Sequence, residues 1–220
     1  MSVFVNPSIF GLTGMQNGER KGVEEIHYAH MSMIPVYSID KIPSHLNESD
    51  FVFFWGHEAR MENNPEACLS QWWHCDFEVD GVWYNCAEQY MMAQKALRFD
   101  DMAVYHQIMA SYSPMEQKKL GRKVAGFDAE IWNATRYGIV VEGNKAKFLQ
   151  NPPLGEYLLS TRDKILVEAS PKDTIWGIGL SKEDKDAIHP NRWKGQNLLG
   201  FALMEVRDYI ANSTTIFSPH

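Results

Sequence analysis

The stretch from Asn85 to Ala96, which reads Asn-Cys-Ala-Glu-Gln-Tyr-Met-Met-Ala-Gln-Lys-Ala, constrains the fold more than any other part of the chain. It predicts the first three turns of a helix that ends near Phe99. Glu88 and Lys95 lie seven residues apart, two helical turns, and so project from one face. Two turns rise roughly 10 Å, too far for the surface ion pair that forms at a spacing of three or four. Met91 and Met92 lie between them. A carboxylate and an amine that share a face without neutralising each other can both address one elongated ligand. The same residues also fit a plainer pattern. Asn85 as N-cap with Glu88 at the third helical position is a capping box, and a lone lysine on a helix is usually solvated. Spacing alone leaves both readings open.

Around this helix the chain divides unevenly. Residues 1–50 contain Gly11, Gly14, Gly18, Gly22 and three prolines without a clean period, and read as an N-terminal extension of loops and short strands. Residues 51–211 read as one domain, with 212–220 as a tail. Phe51 to Trp55 is a buried-strand candidate. Phe77 to Tyr84 reads as a hairpin turning at Asp80-Gly81. A second helix spans Asp100 to Ala110. Ser113-Pro114-Met115-Glu116 combines an N-cap serine, an N1 proline and an N3 glutamate, a strong helix start. Asp128 opens a long helix to about Leu149, stopped by Asn151-Pro152-Pro153. Leu154 to Ser160 is short and helical, Lys164 to Glu168 alternates like a strand, and Thr174 to Ile178 reads as extended. Leu198 to Ala211 is a buried final helix. The fold class is therefore mainly α with short β-strands (α+β), in a single compact domain.

Composition narrows the function classes. The chain has 220 residues, 45% apolar and 22% charged, as ordinary globular proteins do. No apolar run approaches the ~20 residues that span a bilayer, and the N-terminus lacks a signal-peptide pattern. These features predict a cytoplasmic protein with no membrane partner. A formal charge of −7 argues against non-specific binding along a nucleic-acid backbone, while leaving room for a local basic cleft. Cys68, Cys75 and Cys86 form no CxxC pair, and with His57 and His74 they match no zinc spacing, so neither a disulfide framework nor a metal is expected. Trp72, Trp73, Trp83, Trp132, Trp176 and Trp193 flank polar or glycine-rich segments, where aromatic faces can stack on nucleobases or simply fill a core.

Four islands carry the chemistry: Glu88 to Lys95; Trp132 with Arg136 and Lys147; Glu168-Ala169-Ser170-Pro171-Lys172-Asp173-Thr174-Ile175-Trp176-Gly177-Ile178-Gly179; and Gly195-Gln196-Asn197-Leu198-Leu199-Gly200. In this order they resemble the NADAR (YbiA-like) family, over about Phe53 to Tyr209. The resemblance implies a mostly helical domain with N-glycosidase chemistry, cutting the bond between a ribosyl C1 and a nitrogen, without a cofactor. It implies a substrate that is either ADP-ribose attached to guanine, free or in DNA or RNA, or a phosphoribosylated intermediate of riboflavin synthesis. One departure stands out. Many members carry a Ser-Asn pair in a loop after the first strand, and here Leu69-Ser70-Gln71-Trp72-Trp73 occupies that region, with Gln71 in place of the asparagine.

The residue types suit that reaction in their own right. Cleaving an N-glycoside builds positive charge at C1, which a carboxylate can stabilise while it activates water. Glu88 and Asp173 are the candidates. Lys95 could pair with phosphate, or attack the ribose and form a Schiff base with the opened sugar. Trp132 and Trp176 offer flat surfaces, and Arg136 and Lys147 are candidates for pyrophosphate. Gly177 and Asn197 complete the expected substrate-binding set. The competing expectation is a non-catalytic module that senses NAD-derived nucleotides. Such a module needs the tryptophans but not the acids, and the presence of both acids favours an enzyme.

Overall fold

The computed structural model of the chain describes residues 33–43, 45–56 and 61–216, and the expectations for residues 1–32 and 217–220 lie outside them. Helices α1 (Ala87–Arg98), α2 (Met102–Ala110), α3 (Pro114–Gly121), α4 (Ala129–Gln150), α5 (Pro152–Ser160) and α6 (Leu198–Ile216) are joined by strands β1 (Phe51–Phe54), β2 (Phe77–Val79), β3 (Val82–Tyr84) and β4 (Ile165–Glu168). This is the mainly helical α+β domain expected from the sequence.

α1 forms the centre. Every residue from Ala87 to Met92 is buried, and the helix packs against α2, α3 and α4. A helix buried on most sides gains its stability from packing rather than propensity. Each fully buried side chain such as Met91 or Ile108 contributes roughly 1.5–3 kcal/mol. The helix start differs from the capping box that Asn85 and Glu88 suggest. Cys86 is the N-cap, its Sγ accepting from the Gln89 N–H, and the Gln89 Oε1 accepts from the Asn85 N–H at 2.8 Å. The cap falls one residue later, so the Glu88 carboxylate is not consumed by it.

The other starts follow the sequence closely. Ser113 Oγ accepts from the Glu116 N–H ahead of α3, and Asp128 Oδ1 accepts from the Glu130 and Ile131 N–H groups ahead of α4. Pro152 and Pro153 do more than stop α4. They open α5, because a proline in the first turn lacks only an N–H that would go unpaired there anyway.

Strands β1 and β4 pair in parallel, with Phe51 opposite Ile165 and Phe54 opposite Glu168. Helices α1 to α5 lie between them in sequence, as the long crossover of a parallel pair requires. The β2–β3 hairpin turns at Asp80 (φ 52°) and Gly81 (φ 81°), the two positive values of the preferred turn. α6 lies so close on β4 that a Cβ at Gly200 would sit 2.0 Å from the Leu166 carbonyl oxygen, and only glycine permits that approach.

Two expectations about the chain's ends are corrected. α6 continues past Ala211 to Ile216, into the expected tail. The described part of the extension holds 3-10 turns at Ile39–Lys41 and Glu48–Asp50 rather than strands. It is fastened to α6 by Val36 N–H on Glu205 and by the Tyr37 hydroxyl on Asp208. Among the described residues no helix is long and apolar enough to cross a membrane.

Candidate active site

Three elements bring acids to one place. Glu88 stands in the first turn of α1, Glu168 ends β4, and Asp173 lies in the loop after it. That loop is corrected from extended chain to a run of turns. Asp173 Oδ1 accepts from the N–H groups of Ile175 and Trp176, at 2.9 and 2.8 Å, which folds the backbone back on itself. The loop then caps α6. Carbonyls of Ile175 and Trp176 accept from the N–H groups of Leu198 and Leu199, and that of Gly177 from Asn197.

The site is crowded with charge. Glu88 is buried, and its carboxyl is pushed up to about 7, first by burial and then by Asp173; Lys118, the Trp72 indole hydrogen bond and Arg122 oppose the shift. Glu168 is pushed up to about 8 by burial, Asp173 and Glu88, with Lys118 opposing. Lys118 Nζ lies 4.0 Å from the Asp173 carboxylate and 5.8 Å from the Trp72 ring centre. Arg136 lies 5.9 Å over the Trp176 ring, and burial lowers its pKa against the pull of Asp173. Glu88, Asp173, Arg136 and Trp176 therefore meet.

Lys95 and Trp132 form an adjoining group. Lys95 Nζ donates to the Gly121 carbonyl at 2.8 Å, at the C-terminal end of α3, where a cation is favoured. It lies 4.2 Å over Phe127 and 5.5 Å over Trp132. Burial, then Arg122, lowers its pKa. Arg122 thus acts on both Lys95 and Glu88, and Trp132 sits one turn before Arg136 on α4. Trp132 itself is only 7% exposed, so its ring faces the Lys95 ammonium inside the fold rather than offering an open stacking surface.

Three other expected ligand contacts are corrected. Lys147 has no exposed surface, and its ammonium donates to the carbonyls of Cys68 and Ser70 at 2.7 and 2.8 Å. It holds the loop that carries Trp72 and is out of reach of a pyrophosphate. Asn197 is fully buried at φ 54°, its Oδ1 accepting from the Glu168 N–H and its Nδ2 donating to the Leu166 carbonyl. It positions β4. Gly177 is a packing glycine, since a Cβ there would meet the Glu168 carbonyl oxygen at 2.8 Å and the Ser170 Cβ at 3.0 Å.

Four further residues join the site. Glu168 appears in the third island only as its leading acid. Lys118 on α3 and Arg122 at its C-cap are four residues apart, a spacing that puts two cations on one face. Gln71 accepts the Glu88 N–H on its backbone carbonyl at 2.9 Å and the Asn144 amide on its side chain at 2.8 Å. It braces the helix start. Among the described residues no group of three or more His, Cys, Asp or Glu is arranged to hold a metal ion.

The NADAR domain family matches residues 53–211, and the chain belongs to that family. An N-glycosidase of Acanthamoeba polyphaga mimivirus is 44% identical over 163 residues, covering 72% of this chain and 95% of its own. A riboflavin biosynthesis protein of Vibrio vulnificus is 31% identical over 140 residues, which are 64% of this chain and 34% of that longer protein. The NMR structure of the Escherichia coli protein YbiA superposes with a TM-score of 0.61 at 24% identity, over 85% of this chain and 99% of that one, and shows the same fold.

Proposed function

We propose that this N-glycosidase removes ADP-ribose from a modified guanine, by cleaving the bond between the ribosyl C1 and the guanine nitrogen. The observation that carries the reading is the buried Glu88 carboxyl, held at about 7 among two further acids and beneath a rim of cations. Near neutral pH it can exist in either protonation state, as proton transfer requires. Charge developing at C1 would be stabilised by the Asp173 carboxylate. Lys118, Arg122 and Arg136 supply positive charge for a pyrophosphate, and arginine's planar fork suits it. Trp72 and Trp176 supply two aromatic faces for two bases. A single phosphoribosyl pyrimidine would use about half of this equipment, so we rank it second.

In this reading Lys95 attacks the ribose through its amine. Burial, then Arg122, lowers its pKa and so eases loss of its proton, and the Gly121 carbonyl orients it. Borohydride added during turnover is expected to fix an adduct of ADP-ribose mass on Lys95. Activity that is lost in Lys95→Ala without any trapped adduct in the wild type would assign Lys95 to phosphate instead.

The substrate is tested by incubating the protein with ADP-ribosylated guanosine, a phosphoribosyl pyrimidine and NAD, and following the products by mass spectrometry. Guanosine and free ADP-ribose are the expected products. Release from the pyrimidine alone would move the assignment to a small metabolite. Tight binding of the nucleotides with no release would favour a sensing module.

A further inference from the structure

Glu168 is the one acid of the site for which the reaction above has no task, and its surroundings are unusual. Its backbone is clamped on both sides: the N–H donates to Asn197 Oδ1 at 3.0 Å, and the carbonyl accepts from the Ile178 N–H at 2.9 Å. The close approach of Gly177 locks the same peptide. The side chain is thus held at a fixed place at the end of β4. Its Oε2 is shut off from solvent and meets no hydrogen-bond donor among the described residues.

Glu88 differs on this point. Its carboxylate accepts from the Trp72 indole and feels Lys118 and Arg122. An ionised carboxylate can only accept hydrogen bonds, and burying one without a donor is costly. A protonated carboxyl is itself a donor. When one proton is shared between the two glutamates, the donors favour the charge on Glu88 and leave the proton on Glu168. We propose that Glu168 is a catalytic residue, the general acid that delivers a proton to the departing base. This rests on the N-glycosidase reading.

The C1–N bond breaks, and its electron pair goes to the guanine nitrogen system, which takes the proton from Glu168. A bond forms between C1 and the incoming nucleophile, and the proton released by the nucleophile passes to Glu88. The two glutamates exchange charge states, and a proton passing from Glu88 back to Glu168 resets the site. With water as the nucleophile this completes the turnover; with the Lys95 amine a C1–nitrogen adduct forms first, and water then hydrolyses it, releasing ADP-ribose and the free amine before the site is reset. The groups that face Glu168 are Glu88 from α1, Lys118 from α3 and Asp173 from the following loop. Burial and the two acids raise its carboxyl, and it lacks the donors that oppose the same shift on Glu88.

The test compares Glu168→Gln with wild type on two conjugates of ADP-ribose. One is ADP-ribosylated guanosine, whose leaving group needs a proton. The other is an ADP-ribosyl nitrophenolate, whose leaving group departs as a stable anion. The variant is expected to lose a factor of about 10² or more on the first and less than about threefold on the second. Equal losses on both would overturn the role. A second readout does not depend on activity. Infrared spectra at pH 8, above the Glu88 carboxyl, should show a protonated-carboxyl C=O band in the wild type and in Glu88→Gln, and a much weaker one in Glu168→Gln. A band that keeps its full intensity in Glu168→Gln at that pH places the proton elsewhere and overturns the proposal. If Glu168→Gln does not fold, Glu168→Asp, which keeps the acid but withdraws it, should retain the band at a shifted frequency and still lose the guanosine reaction selectively. A wild type inert towards both conjugates would sink the ADP-ribosyl reading, and the infrared band would still decide where the proton sits.

Discussion

The chain buries charge in two regions, and the two treat it differently. Beneath the Trp72 loop, the Lys147 ammonium is enclosed and has two carbonyl partners within 2.8 Å. Between α1 and β4, Glu88 and Glu168 are enclosed as a pair of acids; Glu168 Oε2 has no donor among the described residues, and both carboxyls are pushed up towards neutral pH. A buried polar group that is matched by its neighbours holds structure together. One that is left unmatched costs stability, and is kept where a ligand or a reaction completes it. The difference separates a support from a reaction centre, although both look like isolated charged residues in the sequence.

The largest effect expected is at Glu88. Glu88→Gln should lower kcat by about 10² or more with little change in KM, because the amide keeps the shape and the contact with Trp72. Steady-state kinetics with a melting curve checks this. Unchanged turnover with a lower melting temperature would make Glu88 a structural residue and erase the contrast with Lys147.

The complementary change is Lys147→Met, which preserves volume and removes the donor from the Cys68 and Ser70 carbonyls. We expect a loss of about 2 kcal/mol, or roughly 5 °C in melting temperature. KM for a phosphate-bearing substrate should stay the same at temperatures where the variant is folded. A KM raised about tenfold in folded protein would instead return Lys147 to the ligand.

A smaller effect sharpens the same contrast. The Glu88 carboxyl is raised in the folded state, from an ordinary 4.5 to about 7. Between these values the folded protein holds a proton that the unfolded chain has released. The stability this confers is fully present below pH 4.5 and is lost as pH rises through 7. Glu88→Gln removes that loss. Its melting temperature should match the wild type near pH 4.5 and exceed it by a few degrees at pH 8–9. A difference that is constant with pH would contradict the raised carboxyl.

Much of this architecture could be read from local signals. Ser113-Pro114 and Asp128 start their helices as expected, because a cap is decided by a few neighbouring residues. The Asp80-Gly81 turn is local in the same sense. Resemblance to the NADAR family named the islands correctly as conspicuous, yet two of them are conspicuous mainly because they pack on each other. A Cβ at Gly195 would lie 2.3 Å from the Gly177 carbonyl oxygen, and Asn197 reaches across to β4. No spacing along the chain could tell that contact from a ligand contact. The same holds for Lys147, whose partners lie 77 and 79 residues away. Glu168 is not distinguishable in the sequence, since a missing hydrogen-bond donor is a property of three-dimensional surroundings alone.

The central claim is that a pair of buried glutamates shares one proton and uses it to cleave an N-glycoside. The direct measurement is kcat/KM against pH for ADP-ribosylated guanosine, in the wild type and in Glu88→Gln. The account predicts a narrow bell for the wild type, with limbs near 7 and 8 that belong to the pair together. It also predicts that the acidic limb disappears from the residual activity of Glu88→Gln. A flat wild-type profile between pH 6 and 9, or an acidic limb that persists in the variant, would contradict it.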